Sequence, residues 1–213
     1  MPKILYDRQL KYLSSLRIAP DDLLIEMEKF AGEKRIPILD WKAAELLEQL
    51  ILLKKPLKVL EIGTAIGYSS IRIARKLKKN SSLDTIEKSK NNITLAEKFI
   101  GRAGLSSKIN ILKGEAFVIM PLLESDYDFI FLDADKQDYE KLFLYSLMIL
   151  KKGGIIFVDN LLWHGYPASG IVPVSYRKST RMIRDFNKLF INETSLNASI
   201  FPVGDGVGVG IKV

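Results

Sequence analysis

Five short segments of the chain are rich in apolar, strand-forming residues and are bounded by turn residues: KVLEI (58–62), LDTI (83–86), KINIL (108–112), YDFIFL (127–132) and GIIFV (154–158). Between them, apolar residues recur with helical spacing over 68–79, 89–103, 115–124 and 138–150. Apolar strands that alternate with single helices are typical of a parallel sheet covered on both faces. Right-handed crossovers then predict a Rossmann-like, doubly wound α/β fold.

The two ends of the chain depart from this alternation. Three helices are predicted before the first strand, over 3–16, 20–31 and 40–53, the third with Asp40 as its cap. A further helix runs from residue 175 to about 190, and SLNASIFPVGDGVGVGIKV (195–213) predicts an antiparallel hairpin turning at Gly-Asp-Gly. We therefore expect one domain over 1–213, with extra helices in 1–55 and a seven-stranded, mostly parallel sheet in 56–213.

Composition narrows the class of protein. The 213 residues include no cysteine, which excludes disulfides, thiolate catalysis and cysteine-based metal sites. No window approaches the roughly 18 uncharged apolar residues of a membrane span, and no leader is recognised, so no membrane association and a cytoplasmic location are expected. The net charge of +7 suits RNA or a phosphate-bearing substrate. Basicity without a specific partner is the alternative.

The loop after the first strand has the features of a ligand-binding turn. In VLEIGTAIGYSSIRIA (59–74), Gly63 and Gly67 bracket a tight turn before a helix. A dinucleotide site would carry G-x-G-x-x-G, whereas here the spacing is G-x-x-x-G. Glu61, two residues before the first glycine, would repel a pyrophosphate and suits a cationic ligand instead. NAD is therefore disfavoured.

Two later strand ends add acids beside this turn. Glu87 closes the second strand, where a carboxylate can accept hydrogen bonds from both ribose hydroxyls of an adenosine. Glu115 and Ala116 follow the third strand, where an adenine edge could be bound. The alternatives are a solvated carboxylate at Glu87 and a favourable helix-opening acid at Glu115.

Together these motifs resemble those of class I methyltransferases that use S-adenosylmethionine. Glu61 and the glycines match the family's first motif, and Glu87 matches its ribose acid. The resemblance implies that Gly63 lets the backbone approach the methionine part, while Tyr68 and Ser69 flank its carboxylate and amine.

A second polar group follows two neighbouring strands. FIFLDADKQ (129–137) carries Asp133 directly after a buried strand, and GIIFVDN (154–160) ends in Asp159 and Asn160. Parallel strands bring their carboxyl ends to one edge of the sheet, so these oxygens should surround one point beside the cofactor. Hard oxygen ligands select Mg²⁺, Mn²⁺ or Ca²⁺. Because adjacent strand residues face opposite ways, Asp159 and Asn160 can share a metal only if the chain turns there.

Lys136 lies about one helical turn beyond Asp133 and could project over the same point, where a divalent cation favours the free amine. The set resembles the metal-dependent O-methyltransferases typified by catechol and caffeoyl-coenzyme A enzymes. That resemblance implies metal ligands at Asp133, Asp159 and Asn160, with Asp133 also beside the cofactor and Lys136 as proton acceptor in an in-line methyl transfer. Acids that merely cap helices are the alternative.

Three nearby residues receive lesser roles. Asp135 is expected to open the next helix or to support the site from outside it, with metal ligation as the alternative. His164, the sole histidine, is expected at the pocket rim or in a structural role, and Trp163 either lines the acceptor pocket or simply packs.

The sequence indicates the methyl acceptor less specifically than it indicates the cofactor. RIPILDWKAAELL (35–47), LEIGTAIGYSSIRIA (60–74) and FPVGDGVGV (201–209) resemble a bacterial subgroup that methylates 5-hydroxyuridine at the tRNA wobble position. YRKSTRMIRDF (176–186) is consistent with RNA binding through four cations: Arg177, Lys178, Arg181 and Arg184. A second basic region has the same two interpretations, phosphate contact or solvated surface: Lys54, Lys55, Lys58, Arg72, Arg75, Lys76, Lys78 and Lys79.

Two other functions stay open. One is a small-molecule catechol-type methyltransferase, which would share the same catalytic centre. The other is a non-catalytic cofactor-binding or RNA-binding protein, against which the intact set of Asp133, Lys136, Asp159 and Asn160 argues. The amphipathic N-terminal helices and the resemblance to the family also predict a homodimer.

Overall fold

A computed structural model describes residues 6–124 and 126–213. Its single sheet has seven strands: β1 (Lys58–Ile62), β2 (Ser82–Glu87), β3 (Ile109–Lys113), β4 (Tyr127–Leu132), β5 (Leu150–Val158), β6 (Leu196–Phe201) and β7 (Val207–Lys212). The order across the sheet is β3-β2-β1-β4-β5-β7-β6. The first five strands pair in parallel, and β7 is antiparallel to both of its neighbours. The predicted α/β fold with an antiparallel C-terminal hairpin is confirmed.

Eight α-helices accompany the sheet in the described residues: α1 (Asp7–Leu16), α2 (Asp22–Lys34), α3 (Trp41–Lys54), α4 (Tyr68–Lys76), α5 (Lys90–Arg102), α6 (Ala116–Ile119), α7 (Tyr139–Ile149) and α8 (Arg177–Asn192). Asp40 caps α3 as predicted, accepting a hydrogen bond from the Lys42 amide at 2.9 Å. The start of the first predicted helix, 3–5, lies outside the described residues.

Two elements differ in length from their predictions. The helix expected over 115–124 gives only α6 and a 3₁₀ turn over Met120–Leu122, because Pro121 has no amide to continue the α-helical ladder. β5 begins at Leu150, four residues before the predicted start, since Leu150 pairs with Tyr127 across an irregular register.

The sheet is buried on both faces, which is why its central strands are apolar throughout. Val59, Phe129 and Phe131 face a core formed with α2, α3, α4 and α5. Leu60 and Ile130 face a second core formed with α7 and α8. Strand residues of alternating orientation therefore serve two separate cores.

The N-terminal helix α1 contributes to neither core, since none of its residues is buried. Tyr12 and Leu16 on this helix are 65% and 60% exposed, and the homodimer stays a prediction. Within the described ranges, no helix combines the length and apolar character needed to cross a bilayer.

Candidate active site

The site lies where β1, β4 and β5 end. The ladder continues one residue beyond these strands, because the Asp133 amide donates to the Ile62 carbonyl at 3.0 Å and the Asp159 amide donates to the Leu132 carbonyl at 3.2 Å. Asp133 and Asp159 therefore stand at the carboxyl edge of adjacent strands, as predicted. They open onto a cleft of about 490 Å³ that also contains Gly63, Glu87 and Lys136.

The turn after β1 needs its first glycine for two reasons. Gly63 has φ +105°, and a Cβ atom there would lie 2.0 Å from the Asp133 carbonyl oxygen. Any side chain at Gly63 would therefore push β1 and β4 apart at the cleft. Gly67 has φ +84° and precedes the first residue of α4.

Glu87 joins the turns that border the cleft. Its carboxylate accepts hydrogen bonds from the Ala65 amide at 2.9 Å and from the Ser89 amide at 2.8 Å, and its side chain lines the cleft. Ala116 and Glu115 line it farther along. Glu87, Glu115 and Ala116 therefore border one cleft, and their contacts to ribose and adenine stay predictions.

Three predicted cofactor residues turn their side chains away from the cleft. Glu61 is fully buried and accepts hydrogen bonds from the hydroxyls of Ser69, Ser70 and Thr85. The Tyr68 hydroxyl donates to Glu28 at 2.6 Å. Glu61, Tyr68 and Ser69 are engaged behind the turn because polar partners are available there, and their contacts to a cofactor stay a prediction.

Asp159 is 3% exposed, and one oxygen of its carboxylate has no hydrogen-bond partner. Its Oδ2 accepts from Asn160 Nδ2 at 3.0 Å, whereas Oδ1 has no hydrogen-bond partner. Burial raises the pKa of Asp159, and the neighbouring charge of Asp133 raises it further. Asn160 has φ +62°, so the chain makes the turn that allows both side chains to face one point.

Lys136 connects the three predicted ligands. Its ammonium group contacts Asn160 Oδ1 at 2.5 Å and lies 3.6 Å from Asp133 Oδ1. It also contacts the Tyr139 hydroxyl at 2.5 Å, and Tyr139 in turn donates to the Asp159 carbonyl at 3.0 Å. In residues 6–124 and 126–213, no three His, Cys, Asp or Glu side chains converge on a metal position. The predicted metal ligands in this cluster are thus two carboxylates, those of Asp133 and Asp159, and one amide oxygen, that of Asn160, which contacts Lys136.

The segment that follows Asn160 forms an unusual turn beside the cleft. Trp163 lines the cleft, and its ring centre lies 5.3 Å from the Lys136 Nζ. His164 lies next to it, with its backbone amide donating to Asp205 Oδ1 at 2.5 Å. His164 itself is not among the residues that line the cleft, and its role stays a prediction. Asp135 lines the cleft and lies 3.6 Å from Lys88.

The predicted cationic cluster of α8 divides into two parts. Arg177, Lys178 and Arg181 are exposed, although Arg177 contacts the Val172 carbonyl at 3.3 Å and Arg181 lies 3.9 Å from Asp185. Arg184 is not available as a phosphate contact, which corrects that part of the prediction. Its guanidinium donates to the carbonyls of Pro167, Tyr166 and Ser169 and so holds the preceding loop.

Several lining residues were not assigned to the site from the sequence: Pro37, Ile38, Lys88, Asn92, Phe117 and Leu142. Lys88 bridges Glu115 and Asp135, each at 3.6 Å, across the mouth of the cleft. Tyr139 could have been found from its spacing, since it follows Lys136 by three residues. Pro37 could have been found only from the tertiary fold, which folds the N-terminal segment over the cleft.

Comparison with known proteins agrees with the geometry. The sequence profile of the O-methyltransferase family matches residues 17–213. A catechol O-methyltransferase of Niastella koreensis is 33% identical over 94% of this chain and 90% of that protein. A caffeoyl-CoA O-methyltransferase of Populus kitakamiensis is 33% identical over 76% of this chain and 72% of that protein.

Solved structures agree over almost the whole chain. A Staphylococcus aureus protein, provisionally assigned as a caffeoyl-CoA O-methyltransferase, superposes with a TM-score of 0.90 at 28% identity, over 97% of this chain and 100% of that one. The O-methyltransferase of Bacillus cereus in complex with SAH gives a TM-score of 0.84 at 26% identity, over 95% and 96% of the two chains.

The buried carboxyl group of Glu61 gives a pH dependence that can be measured. Burial raises the pKa of Glu61 from 4.5 to about 7, against the hydroxyl groups that lower it. Because the folded chain holds this proton more tightly, the stability from Glu61 is fully present below pH 4.5 and is lost as the pH rises through about 7. The loss amounts to at most about 3 kcal/mol.

Urea unfolding of the wild type and Glu61→Gln at pH 5 and pH 8 tests this. The stability advantage of the wild type over Glu61→Gln should shrink between the two pH values. Glu140→Gln, the same chemical change at an exposed position, should track the wild type at both. An advantage that does not change with pH would show that Glu61 does not carry the proton.

Proposed function

The chain belongs to the O-methyltransferase family, and we propose that its acceptor is 5-hydroxyuridine at the tRNA wobble position, which it converts to 5-methoxyuridine. At the coarser level it is an S-adenosylmethionine-dependent O-methyltransferase of the catechol and caffeoyl-CoA type. The observation that carries the RNA acceptor is the set of exposed cations at the start of α8. The polar cluster at the carboxyl edge of β4 and β5 supports methyl transfer itself. It stands beside the cleft that Gly63 and Glu87 border.

The donor set of this cluster fits a hard divalent cation. Asp159 has one buried oxygen without a hydrogen-bond partner. Its carboxylate lies near that of Asp133, and one ammonium group, that of Lys136, lies close enough to offset the two negative charges in part. Two close carboxylates are unfavourable unless a further positive charge compensates them. We propose that Asp133, Asp159 and Asn160 hold Mg²⁺, or Mn²⁺ or Ca²⁺ in its place.

The residues of the chain then have distinct tasks. When bound, the cation would supply electrostatic stabilisation of the acceptor oxyanion. Lys136 lines the cleft and, as the free amine, can take the proton of an acceptor hydroxyl held there. Tyr139 and Asn160 fix the position of the Lys136 amine through their contacts at 2.5 Å. The walls of the cleft hold the acceptor in line with the transferred methyl group.

The exposed end of α8 supports an RNA acceptor. The Trp163 indole, which lines the cleft, donates to Ser179 Oγ at 2.8 Å. Ser179 lies beside Lys178 and within two residues of Arg177 and Arg181. The first turn of a 16-residue helix also presents backbone amides and a positive dipole end. A phosphate bound at this turn would therefore lie next to the side of the cleft that Trp163 lines, where we place the acceptor and which we call the acceptor side.

The second basic region supports RNA binding less well. Arg72 is 6% exposed and pairs with Glu48 at 2.6 Å, and Arg75 pairs with Asp21. Lys54 donates to the Gly153 carbonyl at 2.8 Å. Because these three cations have partners in the protein, and because Ser179 of α8 contacts the cleft-lining Trp163, the proposal places the RNA contacts on α8.

A small catechol-type acceptor is the second candidate. It is favoured by the names of the relatives, which are catechol and caffeoyl-CoA enzymes. A catechol carries two adjacent oxygens, and 5-hydroxyuridine has the same arrangement in its 5-hydroxyl and 4-carbonyl groups. The catalytic cluster therefore accommodates both acceptors, and only the surroundings of the cleft distinguish them.

A parallel methyl-transfer assay identifies the acceptor. Purified protein, Mg²⁺ and labelled S-adenosylmethionine are incubated with tRNA carrying 5-hydroxyuridine, with unmodified tRNA and with caffeic acid. We expect label in the hydroxylated tRNA only. Label in caffeic acid only would overturn the RNA acceptor and leave the catalytic centre as assigned.

Charge reversal on α8 tests the proposed RNA surface. Lys178→Glu with Arg181→Glu should weaken binding of tRNA at least tenfold at physiological salt, because phosphate contacts supply most of such affinity. S-adenosylmethionine binding should be unchanged. The matched control, Lys78→Glu with Lys79→Glu, makes the same change in charge after the end of α4, at the opposite edge of the sheet. Equal losses in both variants would show that only net charge matters.

Metal dependence is tested by direct binding and by chelation. Titration with Mn²⁺ should show one site in the wild type and none in Asp159→Asn. Asp135→Asn, in the same cleft but outside the proposed ligand set, should keep the site. EDTA should abolish methyl transfer, and added Mg²⁺ should restore it. Full activity in EDTA would contradict the proposal.

A further inference from the structure

The Gly-Asp-Gly turn between β6 and β7 packs directly on the acceptor side of the cleft. The Leu161 amide donates to the Gly206 carbonyl at 2.9 Å, and the Leu162 amide donates to the Asp205 carbonyl at 2.8 Å. A Cβ atom on Gly206 would lie 2.5 Å from the Leu162 nitrogen, at a φ of +86°. The hairpin turn is therefore held against the segment that follows Asp159 and Asn160.

The side chain of Asp205 reaches farther into this segment than its backbone does. Its Oδ1 accepts from the His164 backbone amide at 2.5 Å, and its Oδ2 lies 3.8 Å from His164 Nδ1. The side chain is 21% exposed, so the contact is largely shielded from water. Asp205 thus caps a turn that lies 41 residues earlier in the chain.

That turn has a backbone conformation that needs outside support. Trp163, His164 and Gly165 have consecutive φ angles of +38°, +58° and +78°. The first two are not glycines, and L-residues disfavour this region because Cβ approaches the following carbonyl oxygen. Residues in such conformations persist only where surrounding contacts over-determine them, and they cluster at functional sites.

The turn determines where the Trp163 ring lies. This ring lines the cleft with its centre 5.3 Å from the Lys136 Nζ, and its indole N–H donates to Ser179. Relaxation of the turn at His164 would therefore move the aromatic wall that lies against the proton acceptor. Among the hydrogen bonds and ion pairs of the described residues, Asp205 is the hairpin residue that reaches His164.

We propose that Asp205 is a positioning residue of the methyltransferase, which holds Trp163 over Lys136 through its hydrogen bond to the His164 backbone amide. Asp205 itself does not line the cleft. The inference rests on the proposed function only where activity is measured; the position of Trp163 can be tested without any substrate.

The first test uses fluorescence in a Trp41→Phe background, in which Trp163 is the sole tryptophan. Asp205→Ala should shift the Trp163 emission to longer wavelength and increase its quenching by acrylamide. Asp205→Asn keeps an oxygen that can accept from the His164 amide, so its spectrum should stay close to that of the parent. His164→Ala removes the imidazole but keeps the backbone amide, and its Trp163 quenching should also stay close to the parent's.

The second test measures kcat and KM with whichever acceptor takes the methyl group in the assay above. Asp205→Ala should lower kcat roughly 10- to 100-fold, as small displacements of catalytic geometry do. KM for S-adenosylmethionine should be unchanged, and Asp205→Asn should recover most of kcat. If Asp205→Ala does not fold, Asp205→Glu, which displaces the carboxylate by one methylene, should give the same changes in smaller degree.

Unchanged Trp163 fluorescence in Asp205→Ala would overturn the proposal. A changed spectrum with unchanged kcat would equally overturn it, because the wall would then not matter for Lys136. Absence of methyl transfer from the parent with every acceptor would count against the proposed function alone, since the fluorescence result would still decide the role of Asp205.

Discussion

The carboxylates of Asp133 and Asp159 stand together at the carboxyl edge of the sheet. One ammonium group, that of Lys136, lies 3.6 Å from Asp133. Such an arrangement is unfavourable for the protein alone, because burial and mutual repulsion both penalise the charged form of Asp159. The fold nevertheless imposes it, since the strands that carry the two acids are adjacent and in register. This imbalance of charge is the physical basis of the divalent cation proposed above.

The cofactor side of the cleft is held by contacts that lie behind it. Glu61 accepts hydroxyl hydrogen bonds from the first turn of α4, and Tyr68 in the same turn joins Glu28 of α2. Arg72, one turn later, donates both to Tyr68 at 2.9 Å and to Glu48 of α3 at 2.6 Å. The N-terminal helices therefore fix the helix that follows the glycine turn, which leaves the backbone of that turn preorganised for a ligand.

The acceptor side is held in a different way, by segments distant in sequence. Arg184 of α8 donates to three carbonyls of the loop around Tyr166, and Asp205 holds the turn at His164. In the proposed mechanism, the position of Trp163 beside the Lys136 amine therefore depends on a helix and a hairpin that do not themselves line the cleft. Differences in acceptor among relatives would be expected here, because the loop can change without disturbing β4 and β5.

The parts of this protein that local physics controls can be read from its amino-acid sequence. The alternation of apolar strands and helices predicted the layered sheet. The tight turn bracketed by Gly63 and Gly67 and the strand-end acids Asp133 and Asp159 predicted the position of the cleft. Each of these is written in a few neighbouring residues, because φ preference, burial on a pleated strand and helical spacing act over short distances.

The remaining features follow from the folded arrangement of distant segments. β7 lies between β5 and β6, and the Tyr68 hydroxyl donates to Glu28 of α2. The guanidinium of Arg184 donates to a loop carbonyl, that of Pro167. In each case several partners were compatible with the local sequence, and the choice depended on which distant segment docks nearby. Asp205 shows this most directly, since nothing within the Gly-Asp-Gly turn indicates the amide of His164 as its partner. Long-range docking selects such pairs, and a single sequence does not encode that selection in any local pattern.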